Sequence, residues 1–81
     1  GVSTGYDRVI LRGTPELGGD FSAWYYRGEK LLAVDAVNDS VAYAVGTKIL
    51  KAGLHPAPED VADLNLETKQ LHTKAKEQIY A

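Results

Sequence analysis

Cysteine and methionine are both absent from these 81 residues, tryptophan occurs once and proline three times. Without cysteine there is no disulfide, no thiolate metal site and no cysteine nucleophile, so an apolar core is the main source of stability. The same absence fits a reducing, cytoplasmic setting. Lys and Arg number nine against eleven Asp and Glu, a formal charge of -2 with no block of like charge. Nothing here builds the basic stripe that a phosphate backbone demands, and nucleic acid is not an expected partner. No apolar run approaches the roughly 20 residues of a membrane span, and the opening GVSTGYDR lacks the charged and apolar regions of a signal peptide. Neither membrane nor export is expected. Gly5 stands where a myristoylation signal calls for Ser or Thr. A first residue of Gly fits removal of an initiator methionine and a piece of a longer protein equally.

The length allows one domain or part of one, and at this size only about 60% of the surface that the unfolded chain exposes is buried. Tyr6–Arg12 (YDRVILR) reads as a strand, with Val9 and Leu11 on one face and Arg8, Ile10 and Arg12 on the other. GTPELGGD, residues 13–20, is dense in Gly and reads as a loop. Phe21–Arg27 reads as a second strand, with Phe21, Ala23 and Tyr25 opposite Ser22, Trp24 and Tyr26. Gly28-Glu29 suits a type II′ turn into a third strand, Lys30–Val37. That strand, KLLAVDAV, is apolar on both faces apart from Asp35, a pattern that predicts a covered, central position in the sheet.

Asn38, Asp39 and Ser40 offer the short oxygens of a helix N-cap, and Val41, Ala42, Val45, Ile49 and Ala52 recur at helical spacing. Lys48 and Lys51 suit the negative end of that helix, and Gly53 is its expected left-handed stop. Gly46 costs about 1 kcal/mol relative to Ala inside a helix, which is tolerable where a bare backbone lets the helix approach the sheet. Pro58, Glu59 and Asp60 open a further short helix. From Leu66 onward only Leu71, Ala75 and Ile79 repeat on an otherwise polar segment, either a frayed tail or a helix in need of a partner surface. The expected fold is α+β: an antiparallel meander of at least three strands with a helix packed on one face and a short C-terminal helical segment. Residues 1–65 form the domain and residues 66–81 a tail.

No residue pattern for catalysis emerges. His55 and His72 have no ligand-like company and read as ordinary surface residues. Asp35 needs hydrogen bonds or an edge position to escape the cost of burial, and a structural partner such as an arginine is preferred over a catalytic role. Ser3, Ser22 and Ser40 lack a nucleophile elbow, and Gly18-Gly19-Asp20 lacks the strand, Gly-rich turn and helix of a phosphate site. Glu59, Asp60 and Asp63 are read as complementing a helix dipole, not as a metal cluster. Trp24, Tyr25 and Tyr26 must occupy both faces of their strand, so either one of them meets solvent or a partner, or the sheet is covered on both faces within the chain.

YDRVILRG, FSAWYYRGEKLLAVDAVN, VGTKILKAG and PEDVAD together resemble the C-terminal domain of FAD-containing, NAD(P)H-dependent ferredoxin and rubredoxin reductases, the putidaredoxin reductase-like and dioxygenase-system reductase-like flavoproteins. The resemblance covers about residues 5–63. It implies a three-domain parent in which two Rossmann-like domains bind FAD and NAD(P)H, while the third caps the flavin side and contributes to docking a ferredoxin or rubredoxin. It also implies that the aromatic-rich segment opening such domains precedes Gly1, so no cofactor-binding or catalytic residue passes to a numbered position here, and no cofactor is expected to bind this chain alone. A sheet short of that segment exposes a strand edge, open to self-association or to an added strand. A free-standing interaction module that adds a strand to a partner's sheet is the rival reading.

Overall fold

The computed structural model describes residues 5–13 and 19–80. Three strands, β1 (Arg8–Gly13), β2 (Phe21–Arg27) and β3 (Lys30–Val37), form an antiparallel sheet in the order β1-β2-β3. Three helices follow: α1 (Ser40–Lys51), α2 (Pro58–Ala62) and α3 (Thr68–Tyr80). The architecture is the α+β meander expected, with one correction to the sheet order. β3 is an edge strand and β2 the central one. Apolar residues on both faces of β3 reflect local shielding: Ala33 is buried on the face away from α1, yet Asp35 and Val37 beside it are exposed.

The β2–β3 hairpin turns at Gly28, whose φ of +60° has the sign that the first central residue of a type II′ turn requires. A bulge follows at once, because Tyr25 pairs with Ala33 and Tyr26 with Leu31. The extra residue, Leu32, brings Leu31 and Val34 onto one face, where both meet the core.

Helix α1 begins where its cap residues predict. The Asp39 carboxylate accepts from the Ala42 N–H at 3.0 Å. At the other end Gly53 adopts φ +69°, its N–H donates to Leu50 O, and the Leu54 N–H donates to Ile49 O, each at 3.1 Å. That paired closure is a Schellman motif. Midway, Gly46 lies against Val34 of β3, and a Cβ there would stand 2.9 Å from Val34 Cγ1. The bare backbone is what lets α1 sit so close to the sheet.

The core lies between the inner sheet face and the helices. Trp24, Tyr26, Leu31, Ile49, Leu54, Val61, Leu71 and Ala75 form it, with Ile10, Val34, Val45, Leu50 and Leu66 packed around them. Leu71 and Ala75 bring α3 into this cluster, so the polar segment after Leu66 is a helix whose partner surface is α1. Burying Leu71 alone contributes about 2 kcal/mol, enough to offset the weak intrinsic helicity of such a segment. The side chain of Ile79 lies outside the described residues.

Candidate docking surfaces

The three consecutive aromatics part company across the sheet. Trp24 and Tyr26 point inward and are fully buried, and each polar tip finds an acceptor: Trp24 Nε1 donates to Ser22 Oγ at 2.8 Å, and the Tyr26 hydroxyl to Pro56 O at 2.6 Å. Burial pushes the Tyr26 phenol pKa well up, with Asp60, Glu29 and Glu59 adding to it and Arg8 opposing. Tyr25 points the other way. Its ring meets that of Tyr6 edge to face with centroids 5.0 Å apart.

Around this pair the outer sheet face is apolar and bears no helix among the described residues. Tyr6 is 48% exposed, Val9 44%, Leu11 54% and Val37 43%. A contiguous face of this kind, rather than a scatter of single residues, marks a surface that another body covers. Asp35 stands on it, and hydrogen bonding to Asp35, ahead of burial, raises the Tyr25 phenol pKa. The carboxylate thus stays near solvent on an edge strand, the escape from burial that the sequence allows.

The inner face holds a residue that residue patterning passes over. Arg12 is only 7% exposed, on the same side of β1 as Ile10. Its Nη1 donates to Val61 O at 2.6 Å and to Asp63 O at 3.2 Å, while Nη2 donates to Leu66 O at 2.5 Å. The carbonyls at the end of α2 and in the turn before α3 therefore converge on one planar cation, which suits the negative end of a helix. Burial lowers the Arg12 pKa, and the nearby Asp63 and Asp39 charges act against that. The only advance signal is two arginines sharing a strand face with Ile10.

The other polar candidates take structural posts. His55 is exposed, yet its Nδ1 accepts from the Leu31 N–H at 3.1 Å, covering one open amide on the edge of β3. Asp60 pairs with Lys74 at 2.8 Å, and Asp63 accepts from the Asn65 N–H at 2.9 Å. Among the described residues no group of three or more His, Asp or Glu could hold a metal ion, and no helix is long and apolar enough to cross a membrane. Ser22 is buried as the acceptor for Trp24, and Ser40 is the first residue of α1. Ser3 and Gly18 lie outside the described residues.

The reductase C-terminal family model matches residues 1–72. The chain belongs to that family. Across 79 residues this reductase C-terminal domain is 35% identical to putidaredoxin reductase CamA of Pseudomonas putida, covering 98% of itself and 18% of that relative. It superposes on the reductase in a covalent putidaredoxin reductase–putidaredoxin complex with a TM-score of 0.82, at 38% identity over 94% of this chain and 18% of that one. The ferredoxin reductase of the CYP199A2 system from Rhodopseudomonas palustris gives 0.78, at 34% identity over 86% of this chain and 17% of that one. The domain therefore spans about a fifth of the length of the reductases it matches.

Proposed function

We propose that this chain is the terminal interface domain of a flavoprotein reductase, capping the flavin side of a parent that passes electrons from NAD(P)H through FAD to a ferredoxin or rubredoxin. The observation that carries the reading is the outer sheet face, bare of helix among the described residues, in a chain that spans about a fifth of the length of its relatives. Tyr6, Val9, Leu11, Tyr25 and Val37 form the surface that packs on the parent's FAD- and NAD-binding domains.

The described residues do not fit a dinucleotide site of their own. A phosphate group is held by free amides at a helix N-terminus that follows a strand. At the β3–α1 junction, the Asp39 carboxylate already takes the Ala42 N–H at 3.0 Å, where a phosphate oxygen would sit. FAD and NAD(P)H, with the hydride and single-electron chemistry they supply, belong to the other domains of the parent, and this chain's own part is to bind and orient.

The test is made on the full-length polypeptide. It is expected to carry a flavin absorption spectrum and to reduce a [2Fe–2S] ferredoxin at the expense of NADH or NADPH, while the 81-residue chain alone binds FAD weakly or not at all. A full-length product without flavin would overturn the reading, and tight stoichiometric FAD binding by the isolated chain would move the cofactor contacts into this domain.

A further inference from the structure

On the outer face of the sheet, strand register sets the side chains in rows. Leu11, Ala23 and Asp35 form one row. On one side of it lie Val9, Tyr25 and Ala33, and on the other Phe21 pairs with Val37. Asp35 is the one carboxylate at these positions, flanked along β3 by Ala33 and Val37 and faced across β2 by Ala23. Ala23 and Ala33 occupy one diagonal of a four-residue square, with Asp35 and Tyr25 on the other. Both alanines are small and buried, so the larger pair can meet above them. Hydrogen bonding between the two is the first cause of the raised Tyr25 phenol pKa, and the Tyr6 ring packs edge to face on that of Tyr25.

A charged side chain on an edge strand is ordinary, since it discourages pairing with another sheet. The place of Asp35 in the rows says more. A body that buries Leu11, Tyr25 and Val37 also covers Asp35, which stands among them, and an ionised carboxylate taken out of water without a counter-charge is strongly disfavoured. Tyr25 has one O–H to give, whereas a carboxylate offers about four acceptor sites. The cations of the sheet are placed elsewhere. Arg27 and Lys30 face each other at the hairpin end, Arg27 Nη1 donates to Gly5 O at 3.4 Å, and Arg12 holds three carbonyls on the inner side. Among the described residues Asp35 makes no ion pair. A planar guanidinium suits what is present, because it can donate two parallel bonds to a carboxylate while stacking on an aromatic ring, and an ammonium cannot.

Resting on the function proposed above, we propose that Asp35 and the Tyr25 ring receive an arginine from the parent's dinucleotide-binding domains, and that this one charged contact fixes how the terminal domain is seated. An apolar face can be buried in several registers, and an ion pair set within it penalises all but one. The chain spans about a fifth of the length of its relatives, which leaves the rest of the same polypeptide to supply the covering body.

The experiment uses the full-length flavoprotein, with limited proteolysis timing the release of this domain. Asp35→Leu separates the outcomes by sign, because it removes the charge and enlarges the apolar face. With a guanidinium seated there, the variant strands a buried cation, and release should be faster by about tenfold or more. With a carboxylate that only faces water, release would be unchanged or slower. Asp35→Asn should also be released faster than the wild type, though by less; a wild-type rate would assign the contact to a neutral donor and overturn the proposal. The crystal structure of the full-length wild type should show an arginine with two nitrogens about 2.7–2.9 Å from the Asp35 oxygens. Replacing that arginine by leucine in the Asp35→Leu background should return release to within about threefold of the wild type, a rescue that a misfolded variant would not give. Unchanged or slower release of Asp35→Leu, no arginine at the carboxylate, or a double variant released as fast as Asp35→Leu alone would overturn the proposal. In a protein that still carries flavin and reduces a ferredoxin, each of these leaves the reductase reading intact. A full-length protein without flavin would overturn both.

Discussion

The Cβ that Gly46 lacks would stand 2.9 Å from Cγ1 of Val34 and 3.0 Å from its Cβ. Val34 is β-branched and cannot swing aside as a long side chain would. Gly46→Ala therefore sets a gain of about 1 kcal/mol in helix propensity against an overpacking cost of about 1–3 kcal/mol. The contact wins, and chemical denaturation should show net destabilisation. A more stable Gly46→Ala variant would mean that α1 can move off the sheet without loss.

Arg12 offers a larger effect. Its three carbonyl acceptors end α2 and lead into α3, and a buried Arg12→Leu leaves them without a donor. A loss of about 3–5 kcal/mol is expected, a large share of the stability of so small a domain. Arg12→Lys, which cannot reproduce the planar fork, should cost about 1–3 kcal/mol. Denaturant midpoints for the two variants, compared at unchanged m-value, check the order.

Tyr26 makes stability depend on alkaline pH. Its folded-state pKa is raised above the unfolded value of about 10, so the unfolded chain releases the proton first. The phenol's contribution is complete below pH 10 and declines as pH climbs from there toward the folded pKa. Tyr26→Phe should flatten that decline and cost about 1–2 kcal/mol at neutral pH through the lost bond to Pro56 O. Unfolding curves between pH 7 and 11 on both proteins measure the difference. A decline of equal steepness in the variant would assign it to other groups.

Leu11 separates docking from folding. It is 54% exposed on the outer sheet face, so Leu11→Lys should change the stability of the isolated chain by no more than about 0.5 kcal/mol. In the full-length protein the same charge would be forced into an interdomain contact. Limited proteolysis there should release the domain faster than in the wild type. Equal rates would show that Leu11 is not part of that contact.

Asp39→Ala tests the cap of α1. Loss of the bond to the Ala42 N–H should cost about 1 kcal/mol, and Asp39→Asn should restore most of it.

How far these features were legible in the sequence follows the range of the interactions that make them. The hairpin at Gly28, the Asp39 cap and the Gly53 stop depend on groups a few residues apart, and each is written in residue type. The placement of β3 is not, because an apolar strand looks alike whether helices cover it or a neighbour such as Tyr25 shields it. The alternation of β2 separates Tyr25 from Trp24 and Tyr26, but which side meets the core depends on where α1 lands. Arg12 escapes such reading for a different reason: its acceptors are main-chain carbonyls, which no residue type announces.

The carbonyls held by Arg12 lie 49, 51 and 54 positions further along the chain. Such long closures are satisfied only after the meander and α1 have formed, so the guanidinium should contribute little to the folding transition state. Arg12→Lys is then expected to leave the refolding arm of the chevron nearly unchanged and to accelerate unfolding, giving a φ-value near zero. Arg12 thus acts as a late latch, setting how long the folded domain lasts more than how quickly it forms.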